Sequence, residues 1–146
     1  AALVSTMQGT ADSQLLAGSE SGHLLLFDAR KVGEPIVSAS VHAAACAAAG
    51  IKRAEAGLTS TCEVGSSAAP TPLAAIGTED GLVVTVDPRD LHVVSATVAH
   101  EGNTAAIARI PTGAGGSPDG WAILSGGWDK RLLRHDVLPA GSSPMK

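Results

Sequence analysis

Apolar residues in this chain come in short runs that alternate with turn formers, and the alternation repeats. The clearest case is Ala122-Ile123-Leu124-Ser125-Gly126-Gly127-Trp128-Asp129-Lys130-Arg131-Leu132-Leu133-Arg134-His135-Asp136. An apolar, β-tolerant run meets Gly126-Gly127 and Asp129, then turns apolar again before closing on Asp136. That order predicts strand, tight turn, strand. The same frame occurs at Leu15–Asp28, with the turn Ser19-Glu20-Ser21-Gly22, and at Leu73–Asp87, with the turn Thr78-Glu79-Asp80-Gly81. Gly18, Gly77 and Gly126 fall in register, as do Ser21, Asp80 and Asp129. The spacing from Ser21 to Asp28 is repeated from Asp80 to Asp87 and from Asp129 to Asp136. Agreement at so many positions marks an internal repeat.

The segments between the copies repeat too. Asp28 is followed by the polar turn Ala29-Arg30-Lys31, a strand around Pro35–Ala39, then His42 and the small-residue run Ala43–Ala49. Asp87 is followed by Pro88-Arg89-Asp90, a strand at Leu91–Ala96, then His100 and Thr104–Ile110. Propensity alone favours a helix at 43–49. The alternating counterpart at 104–110, which also follows a histidine, argues for a strand there instead. Upstream, Ala2–Ser5 predicts a short strand and Gly9–Ser13 a turn. The copies are spaced more widely than a repeat of about 40–45 residues. Two aperiodic inserts account for the excess, Lys52–Pro72 and Pro111–Gly120, both expected to be surface loops.

Composition supports many short strands. The 146 residues suffice for one domain with a core, and 17 Gly and 8 Pro imply frequent chain reversal. Only Phe27, Trp121 and Trp128 are aromatic, so packing must rely on small and β-branched side chains. Net charge is -4 and basic residues occur only as isolated pairs, which argues against a direct nucleic-acid interface. No apolar run approaches the roughly 20 residues that span a bilayer, and no export signal is visible. The expected location is intracellular, nuclear and/or cytoplasmic. The chain begins with Ala, as a processed chain or a piece of a longer one does.

Candidate chemistry is sparse. Cys46 and Cys62 form no CxxC and have no His-x-x-x-His partner, so they predict reduced thiols and no metal site. There is no Gly-x-Ser-x-Gly, and Gly113-Ala114-Gly115-Gly116 lacks the Lys-Ser/Thr of a phosphate loop. No catalytic residue and no cofactor is expected. Trp128 is either a partner anchor or a cover for its own turn. Lys130, Arg131 and Arg134 either capture an acidic group or are solvated strand residues.

Four short strands per unit, a histidine ahead of the first and a turn aspartate closing on hydrophobic-Asp resemble the WD-repeat β-propeller family. The resemblance implies an all-β chain: a partial propeller of about three four-stranded antiparallel blades, near 1–40, 41–98 and 99–138, the last incomplete, with a flexible tail at 139–146. It also implies a hydrogen-bonded set of histidine, strand hydroxyl, turn aspartate and tryptophan. Carried over, these are His42, Thr78 and Asp80 in one unit, with Val86 at the Trp position. In the next they are His100 and Asp129, with Gly127 at the hydroxyl position and His135 at the Trp position. The first unit has Ser21 for the aspartate and Phe27 for the tryptophan. His100-Glu101 with Asn103, Ala106-Ile107-Ala108 and Ile123–Arg131 further resemble the C-terminal part of the ASTRA-associated, G-protein-β-like WD-repeat proteins. That likeness implies a nuclear chromatin-remodelling or kinase-maturation assembly.

The functional expectation is a non-catalytic scaffold that binds other proteins through the hairpin turns, at Glu20, Glu79 and Trp128 with Lys130 and Arg131. Raw strand edges would be completed by more chain or by another molecule. The alternatives are an incomplete propeller fragment without independent activity and a G-protein-β-like signalling adaptor.

Overall fold

A computed structural model of the chain describes residues 4–10, 14–31, 33–64, 73–111 and 121–137. Three antiparallel sheets follow one another along the sequence. The first runs in the order β1 (Val4–Thr10), β2 (Gln14–Ser19), β3 (His23–Asp28), β4 (Val37–Ser40). A nine-residue helix, α1 (Val41–Ala49), follows. The second sheet is β5 (Leu58–Val64), β6 (Leu73–Thr78), β7 (Leu82–Val86), β8 (Val93–Val98). The third has three strands, β9 (Thr104–Pro111), β10 (Trp121–Gly127) and β11 (Leu132–Val137). The fold is all-β in its architecture, as expected, and among the described residues the last sheet has three strands. The first strands of the sheets, β1, β5 and β9, pack against one another in turn, so the sheets stand side by side about their first strands.

The middle sheet shows why such a sheet needs neighbours. Every residue of β6 and β7 is buried. Side chains alternate across a strand, so Ala74, Ile76, Leu82, Val84 and Val86 join one cluster, shared with Leu16, Leu24 and Leu26 of the first sheet. Leu73, Ala75 and Val83 point the other way, into a second cluster with Ile123 of the third sheet. The side chains filling both layers are almost all Ala, Val, Leu and Ile.

Three expectations are corrected. The alanine run is a helix, not a strand: α1 ends at Gly50, whose φ of 72° forms a left-handed cap that returns its N–H to the Ala47 carbonyl. Val41, His42, Ala45 and Cys46 form its buried face against β8 and β3. The small side chains let the helix lie close in that groove. The true counterpart of β9 is β5, which lies inside the stretch 52–72 expected to be a loop. Leu58-Thr59-Ser60-Thr61-Cys62 is mostly β-tolerant but has little apolar alternation, because an innermost strand beside two others needs few large apolar residues. Third, Gly9 and Thr10 belong to β1, paired with Leu15 and Gln14, and not to a turn. The rest of that turn, the remainder of the two inserts beyond Val64 and Pro111, and the tail at 139–146 lie outside the described residues.

Candidate protein-binding rim and its histidine pins

The hairpin turns β2–β3, β6–β7 and β10–β11 sit at one end of their sheets, beside the segments that join one sheet to the next. Each junction uses the same backbone contact. Gly22 accepts from His42 N–H at 3.0 Å, and Gly81 accepts from Ala99 and His100 N–H at 2.9 and 3.0 Å. Both glycines have positive φ, 82° and 93°, and both lie against the partner loop where a Cβ would collide.

Side chains then pin each loop to the next turn. His42 Nε2 lies 2.8 Å from Asp80, and Thr78 donates to the other oxygen of the same carboxylate. Thr78 Oγ1 in turn accepts from Leu82 N–H at 2.9 Å. The set His42, Thr78 and Asp80 is therefore brought together, and Val86, at the Trp position, is buried in the apolar core.

The third sheet is wired differently. His100 Nδ1 meets Asp129 at 2.9 Å, and its Nε2 meets Ser125 Oγ at 2.8 Å. Ser125 Oγ also meets His135 Nε2 at 2.8 Å. An ionised carboxylate only accepts, so His100 Nδ1–H donates to Asp129, and the Ser125 hydroxyl bridges His100 Nε2 and His135 Nε2, accepting from His135 where it donates to His100. His135 thus takes the donor place where the resemblance puts a tryptophan. The strand hydroxyl is Ser125, not the position of Gly127. Gly127 supplies space instead: a Cβ there would lie 2.5 Å from the His100 ring, so its absence lets the imidazole lie across the strand and reach Ser125. In the second sheet Thr78 fills that space and Ile76 stands at the strand position of Ser125, so His42 stops at Asp80. The offset from the register glycine pointed to 127; Ser125 lies on the same strand face two residues earlier, which the period of two could have revealed.

Charge follows the same contacts. Burial acts to raise the pKa of Asp80, but the hydrogen bonds from Thr78 and His42 outweigh it and hold the carboxyl below its ordinary value. Burial opposes ionisation of Asp129 too, and is outweighed by His100 and the N–H groups of Glu101 and Arg131. His135 is depressed, first by burial and then by His100. A histidine with a depressed folded pKa disfavours folding once the unfolded chain begins to protonate. Stability is therefore expected to fall as pH drops from about 6.5, the unfolded value, through the lower folded value of His135. A second loss follows below about pH 4, when Asp80 and Asp129 protonate. Urea midpoints at pH 7.5 and 5.5 check the first step. His135→Gln should flatten it, and an unchanged slope would contradict the assignment.

On the outer surface of this rim, Glu20 and Glu79 flank Gly57: a Cβ on Gly57 would lie 3.0 Å from Glu20 Cα and 3.2 Å from Glu79 Oε2. Glu79 is not free to swing, since it accepts from Gly57 N–H at 3.0 Å. Trp128 is 73% exposed, with its own N–H fixed to the Asn103 carbonyl at 3.0 Å. The ring is presented to solvent and does not cover its turn. Lys130 and Arg131 are exposed beside it, Lys130 with φ 66°, and Leu132 is 69% exposed at the same end of the hairpin. Arg134 is exposed and spans to Asp136 at 3.1 Å.

No family model matches this chain, and no curated protein matches it. Solved structures do. Sqt1 from Saccharomyces cerevisiae superposes with a TM-score of 0.65 at 13% identity, over 92% of this chain and 31% of that one. The computationally designed protein Ika8 gives 0.59 at 14% identity, over 92% and 33%. The designed protein Ika4 gives 0.58 at 14%, over 90% and 64%. The fold is β-propeller-like. The chain spans about a third of the length of Sqt1 and of Ika8 and less than two thirds of Ika4. Among the described residues, no helix is long and apolar enough to cross a membrane.

Proposed function

We propose that this chain is a non-catalytic interaction scaffold of the WD-repeat type, which presents its hairpin-turn rim to other proteins. The observation that carries this reading is Trp128: a large aromatic ring, 73% exposed, on a turn whose backbone is already fixed by Asn103 and Asp129. An anchor held in place before binding loses little entropy on association, and tryptophan and arginine dominate binding hot spots. Leu132 extends the apolar part, and Lys130 and Arg131 add a cationic border that suits an acidic partner surface. Among the described residues no strand pairs with the outer side of β11, which offers a second mode, strand addition by further chain or by another molecule. The residues at 100–108 and 123–131 favour a nuclear chromatin-remodelling or kinase-maturation assembly as the setting.

Trp128→Ala tests the reading. Stability should change by less than about 0.5 kcal/mol, because the ring leaves little core contact behind. Subunits that co-purify with the wild-type chain from its native source should be lost with the variant, and Arg131→Ala should weaken their retention. Undiminished recovery with Trp128→Ala would remove this rim as the contact surface. Recovery of subunits from neither assembly class would remove the proposed setting. Size-exclusion chromatography with circular dichroism separates the scaffold from an inactive fragment: a monodisperse β-rich species supports the first, heterogeneous aggregate the second.

A further inference from the structure

We propose that His42, Cys46 and Asp80 form a binding site for a borderline-soft divalent cation of the Zn2+ class, at the junction between the first two sheets. The spacing of the cysteines in sequence argued against a metal, but the relevant pair is not two cysteines. His42 and Cys46 are four residues apart on α1, so both side chains lie on its buried face. Asp80 arrives from the β6–β7 turn. One nitrogen, one sulfur and one oxygen donor thereby converge, with all three ligand atoms within 4.8 Å of one another.

The separations fit a tetrahedral ion. From ordinary Zn–S, Zn–N and Zn–O lengths, a cysteine sulfur and a histidine nitrogen on one ion are about 3.5 Å apart, and a nitrogen and a carboxylate oxygen about 3.3 Å. Here Cys46 Sγ is 3.7 Å from His42 Nε2, and Asp80 Oδ2 is 2.8 Å from the same nitrogen. The second distance must open by about half an ångström as a hydrogen bond gives way to coordination. Thr78 holds the other oxygen of Asp80, which orients the carboxylate as an outer-shell partner does. The arrangement suits a metal better than a nucleophile. Sulfur lies 3.7 Å from Nε2 and 4.0 Å from Nδ1, nearer the nitrogen that meets the carboxylate, whereas a proton relay would place sulfur and carboxylate at opposite nitrogens.

The site is open to the outside. A cavity of about 220 Å³, bounded by Gly22, His23, His42, Arg53 and Glu55, reaches its His42 side, and the Asp80 side chain is 21% exposed, so water can supply a fourth ligand. Arg53 sits 3.5 Å from Asp80 Oδ2 and opposes a cation, so its removal should tighten binding. On binding, the Cys46 thiol loses its proton to solvent and the thiolate becomes the ligand, while the proton that His42 Nε2 shares with Asp80 moves to Nδ1 and leaves Nε2 free to coordinate. The other cluster of donors among the described residues, Asp87, Asp90 and His92, is a poorer candidate, because Arg89 already holds both oxygens of Asp87.

Titration of the whole chain with Co2+, followed by absorption, tests the site. The expected result is one equivalent bound, with a near-ultraviolet thiolate-to-cobalt band that Zn2+ abolishes by competition. Cys46→Ser should lower affinity by at least about tenfold and remove the band, with the far-ultraviolet circular dichroism unchanged. Arg53→Ala should raise affinity. Absence of the band in the wild type, or its survival in Cys46→Ser, overturns the proposal. A measurement on the wild type guards against a variant that fails to fold: Zn2+ should slow alkylation of Cys46 by iodoacetamide at least about tenfold, and an unchanged rate also overturns it.

Discussion

Gly81→Ala is expected to destabilise the chain by about 3 kcal/mol, combining the cost of a Cβ at positive φ with forced displacement of packed backbone. A methyl at this position would lie 2.0 Å from the His100 carbonyl oxygen and 2.8 Å from that of Gly102, and backbone cannot give way as a flexible side chain can. The same residue accepts from Ala99 and His100, so any shift that relieves the clash breaks the junction between the second and third sheets. Gly50→Ala is the control. Its φ is also positive, at 72°, but a Cβ there meets nothing within 4 Å. It should cost only about 1 kcal/mol, the left-handed penalty by itself. Urea midpoints of both variants give the comparison, and equal losses would show that the close approach at Gly81 has no energetic weight.

His100→Ala is the second large effect, at about 2–4 kcal/mol. The His100 side chain is fully buried, so its removal leaves a void and strips a hydrogen-bond partner from Ser125 and another from Asp129. Asp129 keeps the N–H groups of Glu101 and Arg131, which bounds the damage on that side. A double-mutant cycle with Ser125→Ala isolates the contact. In the wild type that substitution should cost about 1 kcal/mol, and in the His100→Ala background markedly less. Additive losses would mean that histidine and serine are neighbours without being coupled.

These two sites differ in how far they could be read from the chain. Gly81 stands in a repeated turn, and its register with Gly22 is visible in the letters alone. The collision it avoids belongs to the loop before the next sheet, which no local pattern describes. Asp80 and Asp129 were legible as turn residues, and His42 and His100 as the residues ahead of each new sheet. The route from His100 through Ser125 to His135 was not, because it depends on the gap left by Gly127 and on which strand face the imidazole crosses.

The alanine run teaches the complementary point. Local propensity favoured a helix at 43–49, and the analogy with 104–110 was the weaker guide, since the strand that analogy required lies further on at Leu58–Val64. Trp128 was ambiguous for a different reason. Whether a turn side chain folds back or points outward is decided by what surrounds the turn.

By itself, then, the sequence determined the hairpins, their register and the small-residue core, because strand alternation, turn chemistry and repeat spacing are local and periodic. Only the tertiary structure decided which donors meet, which ring is exposed, and that His42, Cys46 and Asp80 share one face of a junction. Those outcomes join residues distant along the chain, and are set by how closely neighbouring sheets and the intervening helix can approach.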